Sequence, residues 1–523
     1  MPQTCPGSVI SPGRVRSPRG LVALLVGLAL SVGVSLGAQA ATTWTVCASG
    51  CDYASIKSAI ATPTTLDGDT LAIAAGTYTE AGITVNKSLT LQGEDAATTI
   101  VQAAASQSAA TDRVFLIPSG IAVTLQNLTI RYGRTPAGRN GRTPADNFGG
   151  GLYNGGILTL IHSTVHATTA IFGGGLYNGG TLTLTHSAVS GNSVTATGTG
   201  GGIETDGPLT LTASTVSGNS APHSNGGGIY SILAPVTLTA STVSGNTASY
   251  GGGVSNGGPL TLTASTISGN TAATGGGLYK SWHRLTLTSS IVASNPDGGD
   301  CYYERGSSTS HGYNLDSDGS CHLTAPTDLL GQDPLLGPLQ DNGGPTYTQA
   351  LLPGSPAHDA IPWGVNGCGT ALVSDQRWQA RPQPAGGPCD IGAYEVEVAG
   401  QALSGWVTGL TAHTVVCQNV TTGHAVTRSD PASPWDCEAA GLEVTAGDRV
   451  ALHVRGPVKQ GSTDVDGAVT GMAPSSGGCA NLTTEQQVTF QHMKGATAAS
   501  CVAAGLIIHP GDQVQMHVQG AAE

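Results

Sequence analysis

Between residues 157 and 292 the apolar residues fall at every second position in short runs, never at helical spacing. Leu158 and Leu160, Leu182 and Leu184, Leu209 and Leu211, Val236 and Leu238, Leu260 and Leu262, and Leu285 and Leu287 each alternate with polar residues, mostly Thr. Period two marks a half-buried strand, with one face packed inward and the other wet. A second short strand follows each run, around Val189, Val216, Val243, Ile267 and Ile291, and four of these units carry Ser-Gly-Asn, at Asn192, Asn219, Asn246 and Asn270. Glycine triplets begin at Gly149, Gly173, Gly200, Gly226, Gly251 and Gly275, 24 to 27 residues apart. A period in the twenties without helical pattern predicts a β-solenoid. One unit alone leaves its Leu row wet, and stacking coil on coil buries it. The fold expected is all-β: a parallel β-helix with Gly at the corners and the Asn column as a ladder of side-chain amides.

The residues on either side extend this picture. The runs TVCASGCDYASIKSAI, DGDTLAIAAGTYTE and ITVNKSLTLQGE resemble the amino-terminal part of pectin-lyase-like right-handed β-helix proteins, which implies a capping helix, placed here at 53–60 with Ile56 and Ile60 on one face. DNGGPTYTQALLPGSPAHDAI from Asp341, SDQRWQARP from Ser374 and CDIGAYE from Cys389 resemble the choice-of-anchor Q domain of bacterial surface proteins. Trp378 stands where that family usually has Gly, and Ala360-Ile361 where it tends to have Ala-Gly. The triplets and Ser-Gly-Asn turns are similar to the repeats of polymorphic outer membrane proteins.

From about Gln401 the chain is duplicated: GWVTGL at Gly405 matches GAVTGM at Gly467, and GDRVALHVRG at Gly447 matches GDQVQMHVQG at Gly511. Alternation within each copy predicts two small β-sandwich-like modules, 401–460 and 463–523. The remaining divisions are an export signal over 1–40, a cap with first coils over 41–148, regular repeats over 149–300, and the choice-of-anchor Q-like end over 301–396. The signal is read from Arg14, Arg16 and Arg19, the apolar run from Leu21 to Leu36, and Ala38-Gln39-Ala40.

Composition narrows the function. Charged residues are 10%, aromatics 4% and the formal net charge is −13, so no nucleic-acid partner is expected and the chain is a poor candidate for an anionic membrane. No run after the signal reaches the roughly 20 apolar residues of a membrane-spanning helix, which places the chain at most peripherally on a membrane. Past the signal ten Cys remain, and proximity pairs Cys47 with Cys51, Cys301 with Cys321, Cys368 with Cys389, Cys417 with Cys437, and Cys479 with Cys501. An oxidising compartment suits disulfides, and no His accompanies the pairs at zinc-site spacing.

Candidate chemistry is sparse. Glu204 and Asp206 are the only acidic residues between Gly149 and Asn295, and without a third carboxylate nearby they read as a solvated turn rather than a hydrolytic pair. Arg131, Arg134, Arg139 and Arg142 lie in a Gly/Pro-rich insertion that could hold an anionic sugar. Tyr153, Tyr177, Tyr230 and Tyr279 follow glycine triplets and could stack as a sugar-binding column. Asn314, Asp316 and Asp318 imitate the start of a calcium loop, with Asp297 and Asp300 nearby, but Ala325 stands where the bidentate Glu belongs. No other cofactor is expected. Outward Thr pairs such as Thr183 and Thr185 resemble the flat arrays of ice-binding β-helices.

Together these features predict an exported extracellular or cell-surface protein with a structural or adhesive role, contacting an extracellular glycan or a host or cell-surface protein, and no enzyme. A polysaccharide lyase or glycoside hydrolase of the same fold is the alternative. Reduction of the five disulfides is expected to lower the unfolding temperature, each loop of roughly 20 residues contributing about 3 kcal/mol. An unchanged melting curve in reductant would refute the pairing.

Overall fold

The computed structural model describes residues 41–523 apart from 136–146, 196, 384–385, 398–403, 412–413, 422, 430–434, 438–441, 443–448, 461, 463, 471, 490–497, 503, 505 and 523. Three long parallel sheets run the length of a right-handed β-helix. An eleven-stranded sheet from Thr43–Val46 to Ser307–Ser310 carries the Leu-Thr alternation. A nine-stranded sheet from Ile83–Thr84 to Cys301–Tyr303 carries the tyrosines, and a second eleven-stranded sheet runs from Gly76–Thr79 to Leu329–Leu330. A five-stranded sheet, from Thr169–Ala170 to Thr271–Thr274, fills the remaining side of the central coils.

Register is one residue on its counterpart. Leu158, Leu182, Leu209, Val236, Leu260 and Leu285 lie over one another in successive coils, and all are buried. Each such side chain contributes about 1.5–3 kcal/mol relative to exposure, and none could do so before its neighbour is in place. The Thr columns run on the opposite face, Thr183 over Thr210, Thr237, Thr261 and Thr286, half-exposed.

The corners use two devices. At the first, Gly173 takes φ 61, and a Cβ on Gly174 would come within 2.4 Å of the Gly201 carbonyl of the next coil, so only Gly lets the coils close. At the second, between the Thr-bearing and third sheets, side-chain residues take the left-handed conformation: His162, His186, Ala213, Ala240, Ala264 and Ser289, with φ between 45 and 51. The serine after each such residue bonds across this corner; Ser187 Oγ donates to the Thr185 carbonyl (2.8 Å) and accepts from the Ser163 amide (3.1 Å). The same bond recurs from Ser187 to Ser214, Ser241, Ser265 and Ser290, a ladder not anticipated from the sequence. The expected Asn ladder is present: Nδ2 of Asn192, Asn219, Asn246 and Asn270 each donates to the next Asn Oδ1 at 2.9–3.1 Å, and Asn295 ends it on Asp300 (2.8 Å).

The cap helix spans Ile56–Ala61, starting three residues later than predicted because Ser55 is its N-cap; Ile56 and Ile60 are buried as expected. The segment from Asp341 to Glu397 clasps the side of the solenoid. Gln376 donates to Thr215 Oγ1 (2.7 Å) and accepts from Thr242 Oγ1 (2.6 Å), bridging two coils. Arg377 pairs with Asp375 and Arg381 with Glu395, all four buried, and the second pair ties SDQRWQARP to CDIGAYE. Trp378 takes φ 73, a backbone state suited to glycine, and its ring lies 4.2 Å from His186 and 5.1 Å from His162.

All five disulfides join the predicted partners. The duplicated tail forms antiparallel sheets, as its alternation predicts, but its copies do not stand apart as two modules: both sheets take strands from both copies. Ser404–Val407 pairs with Asp466–Thr470, and Arg449–Pro457 with Gln513–Ala522. The physical reason is burial, since Val415, Leu452, Val469 and Met516 from both copies share one core.

Burial holds the His162 pKa down, to about 4, and holds that of His186 well below the usual imidazole range, with His162 adding to the effect. The unfolded chain therefore binds protons that the folded chain refuses, and stability should fall as the pH drops from about 6.5 towards 4. His186→Asn, which tolerates the left-handed backbone, should flatten that slope in thermal melts; an unaltered slope would count against burial as its origin.

Candidate active site

Strands of the tyrosine-bearing sheet are mostly three residues long, so only the middle residue faces out. Leu152, Leu176, Ile203 and Ile229 point inward; Asn154, Asn178, Thr205 and Ser231 point inward at the other end and are buried. The outward column in register reads Tyr153, Tyr177, Glu204, Tyr230, Ser255, Tyr279, Tyr302. Tyr153 stacks on Tyr177 at 5.3 Å, and Tyr279 on Tyr302 at 5.3 Å.

A second column comes from the residue before each triplet: Phe148, Phe172, Thr199, Asn225, Tyr250 and Thr274. Phe148 lies 5.1 Å from Phe172 and 4.4 Å from Tyr177, and Tyr250 meets Tyr279 edge-on at 5.5 Å. Two aromatic groups thus flank a polar notch holding Thr199, Glu204 and Asp206. The notch exists because one coil lacks a ring in both columns, with Thr199 and Glu204 in their places, and the next keeps only Tyr230 beside Asn225.

Glu204 is 5% exposed and accepts a hydrogen bond from Thr199 Oγ1 at 2.6 Å. Burial raises its pKa to about 8, the hydrogen bond from Thr199 opposing and Asp206 adding repulsion, so it carries a proton at neutral pH. Asp206 is exposed and accepts from the Tyr177 hydroxyl at 2.6 Å; burial and this bond raise the Tyr177 pKa and keep the phenol protonated. The solvated-turn reading is corrected for Glu204: its place on a three-residue strand between tyrosines takes it out of water. Arg113, not anticipated from sequence, lies over the Tyr153 ring at 5.4 Å.

The other candidates scatter. Arg131 donates to Gln102 Oε1 (2.9 Å) and covers Tyr132, on a strand of the third sheet rather than the tyrosine face. Arg134 makes a backbone bridge with Thr169; Arg139 and Arg142 lie outside the described residues. Tyr153, Tyr177, Tyr230 and Tyr279 do share one face, the buried ring of Tyr177 included. Asp316 and Asp318 gather with Asp300, their oxygens within 4.8 Å of one another. Asn314 does not join them; its amide accepts from the Ser290 N–H (2.9 Å) inside the coil. The three carboxylates already accept protein donors: Asp300 from Asn295 and Ser317, Asp316 from Cys321 N, and Asp318 from Ser320 N. Burial raises Asp316 to about 7.

No known family matches the chain, so neither the choice-of-anchor Q likeness nor that to polymorphic outer membrane proteins gains support, and no curated protein sequence matches it. Among solved structures it is similar to pectate lyase Pel9A, at 13% identity and TM-score 0.41, over 69% of this chain and 97% of that one. A pectin methylesterase from Yersinia enterocolitica matches at 11% and TM-score 0.31, over 53% and 93% of the two chains. The tailspike gp49 of Acinetobacter baumannii bacteriophage Fri1, a capsular polysaccharide depolymerase, matches at 8% and TM-score 0.21, over 87% and 80%. The likeness is one of fold. The named proteins are enzymes, which stands against the expectation, drawn from sparse carboxylates, that this chain is none; the likeness itself assigns this chain no activity.

Because Glu204 is neutral when folded and ionises when unfolded, its contribution to stability is present below about pH 4.5 and is lost as the pH rises to about 8. Glu204→Gln should remove that loss, leaving a melting temperature less dependent on pH across this range. A wild-type slope in the variant would show Glu204 to be ionised.

Proposed function

We propose that this chain is an exported polysaccharide-processing protein that cleaves glycosidic bonds by acid-assisted hydrolysis at the notch between its aromatic groups. The observation that carries this reading is the protonated, buried Glu204 set beside the exposed Asp206 on one open face. Glycoside hydrolysis needs one carboxylic acid to protonate the leaving oxygen and a second carboxylate to act on the developing oxocarbenium ion, as base or nucleophile. Glu204 supplies the acid, and Thr199 fixes its orientation. Asp206 supplies the carboxylate, oriented by the Tyr177 hydroxyl. A base held deprotonated would suit elimination, whereas a proton held at neutral pH suits hydrolysis.

The test is release of reducing ends from a panel of polysaccharides by the purified chain. Glu204→Gln should lower the rate at least ~100-fold, the contribution of a positioned general acid, and Asp206→Asn should be comparably damaging. No release from any glycan, or full activity in Glu204→Gln, would overturn the reading.

A further inference from the structure

Aromatic residues make up 4% of the chain, yet on this one face they recur well beyond the notch. Tyr250, Trp282 and Tyr302 are 46%, 48% and 43% exposed. Large apolar rings left in water together mark a binding surface rather than packing. Tyr279 and Tyr302 stand three and four coils from Glu204 in the same column, about 14 and 19 Å along the axis at the usual strand spacing. Trp282 sits on the turn after the Tyr279 strand, and the Arg305 guanidinium lies 4.6 Å over its ring. Between the notch and this platform the column passes through Tyr230 and then Ser255, so the surface is continuous with the site and lowest just before Tyr279.

Charge restricts what can lie there. Glu304 accepts from the Tyr279 hydroxyl at 3.1 Å at one end, and Asp206 stands at the other. Lys280 is no counter-charge on the surface: it is buried, with Nζ donating to Asn256 Oδ1 (2.7 Å) and to the carbonyls of Gly258 and Trp282. Arg305 over Trp282 offsets its neighbour Glu304, so the platform offers a polymer with a carboxylate on every sugar no net attraction, and Asp206 repels it at the other end. We infer that the occupant is an uncharged polysaccharide lying lengthwise along the coils, with Tyr250, Tyr279, Trp282 and Tyr302 forming a remote subsite that holds the chain while it is cut at Glu204. This rests on the hydrolytic reading for the cut, but not for the holding.

Two measurements separate these parts. Retardation of the full-length chain in native gels containing a neutral glucan, mannan or xylan should exceed that in pectate or alginate, and the Trp282→Ala/Tyr302→Ala variant should lose most of it. In kinetics, the same variant should lower kcat/KM for polymer at least tenfold more than for the shortest oligomer cleaved, chiefly through KM. Both side chains are exposed, so the variant should keep the wild-type melting temperature; Trp282→Phe/Tyr302→Phe, which keeps the rings, should restore retention. Retention without any cleavage would leave the subsite standing and remove the hydrolytic reading. Cleavage lost in Glu204→Gln but equal effects of the double variant on long and short substrates would remove the subsite alone. Preference for polyuronates, or self-association that depends on Trp282 and Tyr302 without glycan retention, would overturn the proposal.

Discussion

Everything in the solenoid depends on one coil lying in exact register on the next. A strand of three to five residues has no stability by itself, and its apolar row becomes core only when the same row of the adjacent coil covers it. The requirement extends to polar groups, because a buried amide or hydroxyl costs more than it contributes unless it finds a partner. Asn192 to Asn295 and Ser163 to Ser290 meet that demand by bonding to their own counterparts one coil away. Repetition of sequence is therefore repetition of partners.

That logic explains what was readable in the chain. Leu alternation, glycine spacing and the Asn column were legible because each coil states the same constraint again. The cysteine pairs were legible because each closes a short loop. Ser163, Ser187 and their successors repeat just as faithfully, but a serine after a strand is ordinary, and only the left-handed turn beneath it reveals the ladder. The duplicated tail disclosed its strands but not their pairing, since either copy could have closed on itself.

Glu204 and Asp206 stood out in the sequence, but their chemistry was hidden for the opposite reason: it occurs once. Glu204 replaces one tyrosine in a column, and nothing in the string GGGIETDGP shows that the position is dry. Its raised pKa comes from burial between neighbouring coils, a property of the stack and not of the residue's neighbours in sequence. Arg131 misled for a related reason, since an Arg-rich string says nothing about which side of a coil it occupies, and this one lies on the third sheet.

In the tail, Trp406 pairs with Ala468 and His453 with His517, and each residue faces its own equivalent in the other copy. Such pairing is the mark of a two-fold axis, here running through a single chain. A symmetrical body offers two equivalent faces, and the rest of the chain does not treat them alike. Trp406 donates its indole N–H to the Trp378 carbonyl at 3.1 Å where its counterpart Ala468 has only a methyl group, and the Val502 carbonyl of the second copy accepts from Gln126 Nε2 at 2.6 Å. Duplication of the sequence thus supplied a pair, and divergence between its halves gave that pair a direction.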